Sequence, residues 1–159
     1  DSLVWSYVKT FNIKALTIRP FNNYGPRQNY KKYSGVVPNT IINVLKGIKP
    51  KISGNGSQSR DFVYVKDTAK IAVKMSEELD FDGQAYNIST GVKVTIKNLV
   101  EKICFLMRWD KGIDYIKERP GDVSDMFGNQ DKLNKHFSHD HTDLDTGLKE
   151  TIEWYKTYL

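Results

Sequence analysis

Short apolar runs closed by turn residues alternate along this chain with longer stretches whose apolar side chains recur every three to four positions. That alternation of strand and helix periods restricts the chain to an α/β arrangement. Ala15-Leu16-Thr17-Ile18, closed by Arg19-Pro20, reads as a buried strand that suits a parallel neighbour. Phe62-Val63-Tyr64-Val65 and Gln84 to Ile88 read as two more, and Gly112 to Ile116 as a short fourth. Helical spacing covers Asp1 to Phe11, with Leu3, Val4, Tyr7 and Val8 on one face and Asn12 as the stop. A second helix starts around Pro38 and runs through Ile41, Ile42 and Leu45 to a Gly47 C-cap. Asp67 is placed as the cap of a third, with Ala69, Ala72, Val73 and Leu79 inward, and Thr95 as the cap of a fourth bearing Leu99, Val100, Ile103 and Met107. The last helix runs from about Asp145, with Leu148, Ile152 and Tyr155 inward. Gly54-Asn55-Gly56 reads as a tight turn and Phe21 to Gly35 as a long polar loop, the kind of segment in which binding residues concentrate.

The chain has 159 residues, enough for one domain or part of a larger one, and 39% hydrophobic residues, enough for a core. No apolar run reaches membrane-spanning length and no signal-peptide pattern opens the chain, so the expectation is a soluble cytoplasmic protein with no membrane partner. Cys104 is the one cysteine; it excludes an internal disulfide, fits a reducing compartment, and lies where a small core residue is expected. The formal charge of +5 is spread over Lys9, Lys70, Lys97, Lys149 and others without a basic stripe, which argues against nucleic acid and suits a small anionic ligand. The first residue is not Met and an amphipathic helix begins at once, so the chain is expected to be a piece of something longer.

Three segments carry candidate chemistry: Arg19-Pro20-Phe21-Asn22-Asn23-Tyr24-Gly25-Pro26-Arg27, Ser57-Gln58-Ser59-Arg60-Asp61-Phe62-Val63-Tyr64-Val65-Lys66-Asp67, and Arg119-Pro120-Gly121-Asp122-Val123. A guanidinium grips phosphate oxygens through two parallel hydrogen bonds, and Asn amides orient hydroxyls. Arg60 and Arg119 converging on a diphosphate, with Asn22-Asn23 facing a sugar, would make a nucleoside-diphosphate-sugar site. The plainer alternatives are that Arg60 pairs with Asp61 or Asp67, that Arg119 pairs with Glu118 or Asp122, and that the Asn pair is a turn. His136, His139 and His141, with Asp140 among them, carry zinc- or nickel-type donors, but their polar setting reads as a solvated loop and no metal is expected.

Taken together, in this order and spacing, the three segments resemble the extended short-chain dehydrogenase/reductase family of NAD-dependent nucleotide-sugar epimerases and dehydratases. The likeness runs from the helix at Ser2 to Gly147-Leu148-Lys149-Glu150-Thr151. It implies the C-terminal, substrate-binding part of a Rossmann-type enzyme with the last strands of its parallel sheet: residues 1–20 close the Rossmann part and residues 21–159 mainly bind the nucleotide-sugar. By that resemblance Asn22 contacts the sugar-diphosphate, while Pro20, Phe21 and Asn23 lie against the nicotinamide. Gly35 and Val36 meet substrate through their backbone, and Lys51, Ile52 and Ser53 line the base pocket. Arg60 and Arg119 hold the phosphates, and Asp122 sits near the ribose.

Family members bind NAD on a Gly-rich strand–turn–helix, and none is present here; Gly54-Asn55-Gly56 precedes a strand. Their chemistry also needs a Tyr with a Lys four residues on, and none of the nine Tyr has one, so no catalytic residue is assigned. The resemblance therefore implies a missing Rossmann half of roughly 150 residues, NAD binding only in the complete enzyme, and an inactive chain that exposes apolar surface where that half would pack. It implies a UDP- or dTDP-linked sugar as ligand and a homodimer for the full-length enzyme. Arg-Pro-Phe-Asn and Arg-Pro-Gly-Asp-Val favour a UDP-sugar 4-epimerase, in which NAD takes hydride from C4 and returns it to the other face. A dTDP-glucose 4,6-dehydratase fragment and a stand-alone nucleotide-sugar-binding module are the alternatives.

Overall fold

The computed structural model describes residues 1–31, 34–118 and 120–159. Helix α1 (Ser2–Phe11) ends at Asn12, whose φ of 52° is a left-handed stop that Asn tolerates better than most residues. Strand β1 (Ala15–Pro20) follows and pairs in parallel with β6 (Asp82–Ile88), Ile18 lying beside Tyr86 and Pro20 beside Ile88. Gly83, at φ +88°, lies under α1: an added Cβ would meet the Trp5 Cα at 3.1 Å. The expected face of α1 is only half used. Val8 is buried and Val4 half-buried, whereas Leu3 is 69% and Phe11 63% exposed, with Trp5 and Tyr7 also outside.

The polar loop after Pro20 is not all loop. Strand β2 (Asn22–Tyr24) pairs in parallel with β5 (Phe62–Tyr64), Asn22 opposite Phe62 and Tyr24 opposite Tyr64. A tertiary partner, not local propensity, makes this strand; Asn-Asn on its own favours a turn. Helix α2 (Val36–Leu45) places Pro38 in its first turn, and Gly47 follows it at φ 71°. Strand β3 (Lys51–Ser53) pairs in parallel with β8 (Asp114–Ile116), and β4 (Ser59–Arg60) lies between β7 (Val94–Thr95) and β9 (Asp125–Met126).

Helix α3 (Val65–Glu78) starts two residues before the Asp67 expected to cap it. Its inward row is Asp67, Ile71 and Met75, continued by Leu79, whereas Ala69 and Val73 face outward. Both rows satisfy a helical period. The row with Ile and Met buries more apolar area per turn than the row with two alanines, so it wins. Helix α4 (Ile96–Leu106) is capped as expected, Thr95 Oγ1 accepting from the Asn98 N–H at 3.1 Å. A short α5 (Asp131–Asn134) precedes α6 (Leu144–Tyr158), which Asp143 caps through the Thr146 N–H at 2.9 Å.

Strand β5 sits between two cores, as a strand buried on both faces should. Phe62 and Tyr64 face a cluster with Tyr24, Ile41, Leu99, Ile152 and Tyr155, while Val63 faces Ile71, Met75, Ile88 and Leu133. A third, smaller cluster joins Ile52, Val100 and Cys104. Among the described residues no helix is long and apolar enough to cross a membrane.

Candidate functional site

A cleft of about 510 Å³ opens between β2, the first turn of α2, β3 and β4. The start of α2 gives it positive character. Gly35 is the N-cap, no side chain caps the helix, and no acid lies in its first turn. First-turn N–H groups have no partner within a helix, and the aligned peptide dipoles leave partial positive charge there. Gly35 and Val36 thus bring to the cleft the backbone donors that suit phosphate oxygens. The turn before the helix is braced by Asn39, whose Nδ2 donates to the Ser34 carbonyl at 2.9 Å.

Arg60 and Lys51 line the same cleft. The Arg60 guanidinium is largely buried and firmly held: Nη1 donates to the carbonyls of Ser59 and Val123, both at 2.7 Å, and Nη2 to Asp122 Oδ1 at 2.6 Å. Neither expected partner, Asp61 nor Asp67, is the one used. Asp67 accepts from the Thr142 N–H and hydroxyl. Asp61, fully buried, accepts from Thr90 N–H at 2.9 Å and hydroxyl at 2.7 Å, from Gly91 N–H at 2.9 Å and from Gly128 N–H at 3.2 Å. The strap after Asp122 is tied again at Asp125, where the Ser59 hydroxyl and then Lys93 hold its carboxyl below the usual carboxylate range.

Asn22 enters the cleft from β2 with its side chain oriented by the main chain of β4–β5: both its backbone N–H and its Nδ2 donate to the Asp61 carbonyl at 3.1 Å. Asn23 lines the cleft too, and its Oδ1 accepts from the Thr68 hydroxyl. Pro20 and Phe21 lie in a shallower depression on the far side of Asn22, with Arg19 and Asn87.

Of the residues singled out in the sequence, Asn22, Asn23, Gly35, Val36, Lys51, Ser53, Arg60 and Asp122 share one cleft. Ile52 does not line it: strand alternation sends Lys51 and Ser53 to the cleft and turns Ile52 into the core against Val100 and Cys104. Arg119 lies outside the described residues. Asp61 was noticed in the sequence only as a possible partner of Arg60, and Thr90 and Gly128 not at all, because nothing local marks a carboxylate that gathers donors from 29 to 67 positions away.

The phenols of Tyr24, Tyr64 and Tyr155 are displaced away from activation. Burial pushes Tyr24 and Tyr64 up, assisted at Tyr24 by Asp67 and at Tyr64 by Glu150, and burial carries Tyr155 to about 12. A phenol that takes a proton near neutrality needs the opposite displacement. The Gly54–Gly56 turn is filled by its own protein, since a Cβ on Gly56 would meet Ile52 Cγ2 at 2.8 Å and the Lys97 nitrogen at 3.1 Å. That turn therefore leaves no space for the pyrophosphate of NAD. His139 and His141 each bring Nε2 to Gln130 Oε1, at 3.1 and 3.2 Å, and His136 meets the Tyr86 ring edge-on. Among the described residues no three His, Cys, Asp or Glu side chains converge as metal ligands.

Comparison with known proteins places the chain in a family. A family model described as NAD dependent epimerase/dehydratase matches residues 1–89. The chain is 30% identical over 161 residues to a dTDP-glucose 4,6-dehydratase of Mycolicibacterium smegmatis, which covers 98% of the chain and 47% of the relative. It is 32% identical over 154 residues to a putative UDP-glucose 4-epimerase of Methanocaldococcus jannaschii, covering 94% of the chain and 50% of the relative. Among solved structures, UDP-N-acetylglucosamine 4-epimerase from Methanobrevibacter ruminantium, in complex with UDP-N-acetylmuramic acid, superposes with a TM-score of 0.91 at 32% identity, covering 99% of this chain and 51% of that one. The chain spans about half the length of the curated relatives it matches. With more than half of its residues inside the family match and the α/β fold shared throughout, the chain belongs to the NAD-dependent epimerase/dehydratase family.

Proposed function

We propose that the cleft binds a nucleoside-diphosphate-sugar, and that the chain is the substrate-binding part of an NAD-dependent nucleotide-sugar epimerase acting on a UDP-sugar at C4. The convergence of the α2 N-terminus, Arg60, Lys51 and Asn22 on one cavity carries this reading. The helix start and the two cations suit a diphosphate, and Asn22 keeps an amide oxygen and one N–H for hydroxyls. In this reading Arg119 joins Arg60 on the phosphates, the Lys51 and Ser53 edge faces the base, and Pro20, Phe21 and Asn23 border the nicotinamide.

Two features support a second, Rossmann half that brings NAD and the acid–base pair. Strand β1 is hydrogen-bonded on one side only, to β6, among the described residues, and parallel strands are rarely left in pairs. The outer face of α1 is apolar and exposed, as a covered or dimer-forming face would be. On this basis the chain alone neither binds NAD tightly nor turns over substrate.

Calorimetry with UDP-glucose, dTDP-glucose and NAD tests the reading. Measurable affinity for one sugar nucleotide, lost in Arg60→Ala, and none for NAD is the expected result. Absence of affinity for every nucleotide-sugar would end the assignment. Dehydratases among the relatives keep a second reading open, and preference for dTDP-glucose would favour it.

A further inference from the structure

None of Gly54, Asn55 and Gly56 lines the cleft, yet their turn carries a reactive pairing of its own. It is the one place in the chain where Asn is followed by Gly. The backbone nitrogen after an Asn can reach that residue's amide carbon, and Gly is the residue that puts no side chain in the way. Asn55 is exposed, and Gly56 follows it at φ +76°. Among the described residues the Gly56 N–H and the Asn55 Nδ2 donate to nothing, so neither the attacking nitrogen nor the leaving group is held back by a hydrogen bond. The Asn55 Oδ1 accepts from the Ser57 N–H at 2.9 Å. That bond folds the side chain back over the main chain that includes the Gly56 nitrogen, and it draws electron density away from Cγ.

We infer that Asn55 is a site of spontaneous deamidation through a cyclic imide, and that the isoaspartyl product disturbs the wall of the cleft. Water or hydroxide takes the Gly56 N–H proton, the nitrogen bonds to Asn55 Cγ, and the Cγ–Nδ2 bond breaks with release of ammonia. The five-membered imide then takes up one water. Opening at one carbonyl gives aspartate, and opening at the other gives isoaspartate, in which the chain runs on through the side-chain carbon. Water is the only co-reactant, and nothing is oxidised or reduced.

The two products differ in what they do to the fold. The turn is pinned on both sides: the Gly54 N–H donates to the Ile116 carbonyl, and the Gly56 carbonyl accepts from the Lys97 N–H, each at 2.9 Å. Ile52 and Lys97 fill the space beside Gly56. Isoaspartate adds one atom to the main chain between these anchors, so one of the two bonds must give. Ser53, Gln58 and Ile116, which line the cleft, lie on the segments that the turn ties together. Aspartate keeps the chain length and leaves the anchors in place. Asp82-Gly83, the one Asp-Gly step, has the same ring-forming atoms, but its Gly83 is buried in β6 under α1.

Incubation of the whole chain in mildly alkaline buffer, beside a synthetic peptide of residues 52–60, followed by trypsin and mass spectrometry, tests this. Trypsin cuts after Lys51 and Arg60, and Asn55 is the one Asn in that fragment. The folded chain should gain about one dalton at residue 55 at a rate within about tenfold of the peptide's, since an exposed turn opens at small cost. Asn55→Gln should gain none over the same time. A folded-chain rate below that bound overturns the site, because the fold then protects the amide. The isoaspartyl form, separated by chromatography, should melt below the native chain, while Asn55→Asp should melt with it. An isoaspartyl form that melts with the native chain overturns the disturbance of the wall, and an equal loss in Asn55→Asp overturns it too, by tracing the effect to charge.

Discussion

The Asp61 carbonyl accepts both N–H groups that Asn22 can offer it, backbone and side chain, each at 3.1 Å. The same residue's carboxylate holds Thr90, Gly91 and Gly128 from the core side. One buried residue thus joins the corner that presents Asn22 to two loops remote in sequence. Asp61→Ala should leave the buried Gly128 N–H without its partner and release the Thr90–Gly91 turn, at a cost of about 2 kcal/mol or more of stability. Urea denaturation reads this directly; a loss below about 1 kcal/mol would show that the network contributes little.

Gly147 lies in α6 where an added Cβ would overlap the Tyr24 hydroxyl and approach its ring carbon at 2.9 Å. Alanine gains up to about 1 kcal/mol in helix propensity, but the Tyr24 ring it would displace is buried in the core. Gly147→Ala should therefore be net destabilising, by about 1–2 kcal/mol. A variant that melts at or above the native temperature would show that the Tyr24 ring can move aside.

Burial, then the neighbouring His141, holds His139 below its ordinary value. The unfolded chain then binds more protons than the folded one once the pH falls below about 6.5. The stability tied to neutral His139 is present above that pH and is lost as pH drops through the lowered folded value. Melting temperatures between pH 7.5 and 5 should fall more steeply for the native chain than for His139→Gln. Parallel curves for the two would remove His139 as a cause.

The outward face of α1 carries Leu3, Tyr7 and Phe11. The chain on its own should bind a hydrophobic dye and self-associate with rising concentration. Leu3→Lys with Phe11→Lys should cut both, while stability changes by about 0.5 kcal/mol or less. Strong dye binding that survives both substitutions would place the exposed apolar surface elsewhere, such as the hollow beside Trp154 and Tyr158.

Much of this protein could be read before folding is considered. The helices α1, α2, α4 and α6 follow from apolar spacing and from caps such as Thr95, because helical hydrogen bonds close within a few residues and the signal is local. Strands β1 and β5 follow from short apolar runs bounded by turn residues, although only β5 is buried and β1, expected to be, is half-buried to exposed. The candidate site was legible in part because Arg60 and the Asn22-Asn23 pair are of types that phosphate and sugar chemistry needs, whereas Asp122, Gly35, Val36, Lys51 and Ser53 entered only through the family resemblance.

Only the tertiary structure decided the rest. Strand β2 exists because Asn22 to Tyr24 finds β5 some 40 residues away, and pairing across that distance leaves no local trace. Which row of α3 turns inward depended on the volume its neighbours leave for Ile71 and Met75. The partner of Arg60 was settled by geometry as well. Two acids close in sequence, Asp61 and Asp67, were drawn off by Thr90 and Thr142, and Asp122, brought alongside by β9 pairing with β4, took their place. A residue's type is set by the chain, but the groups it meets are set by long-range packing, because a charge answers to distance in space and not to distance in sequence.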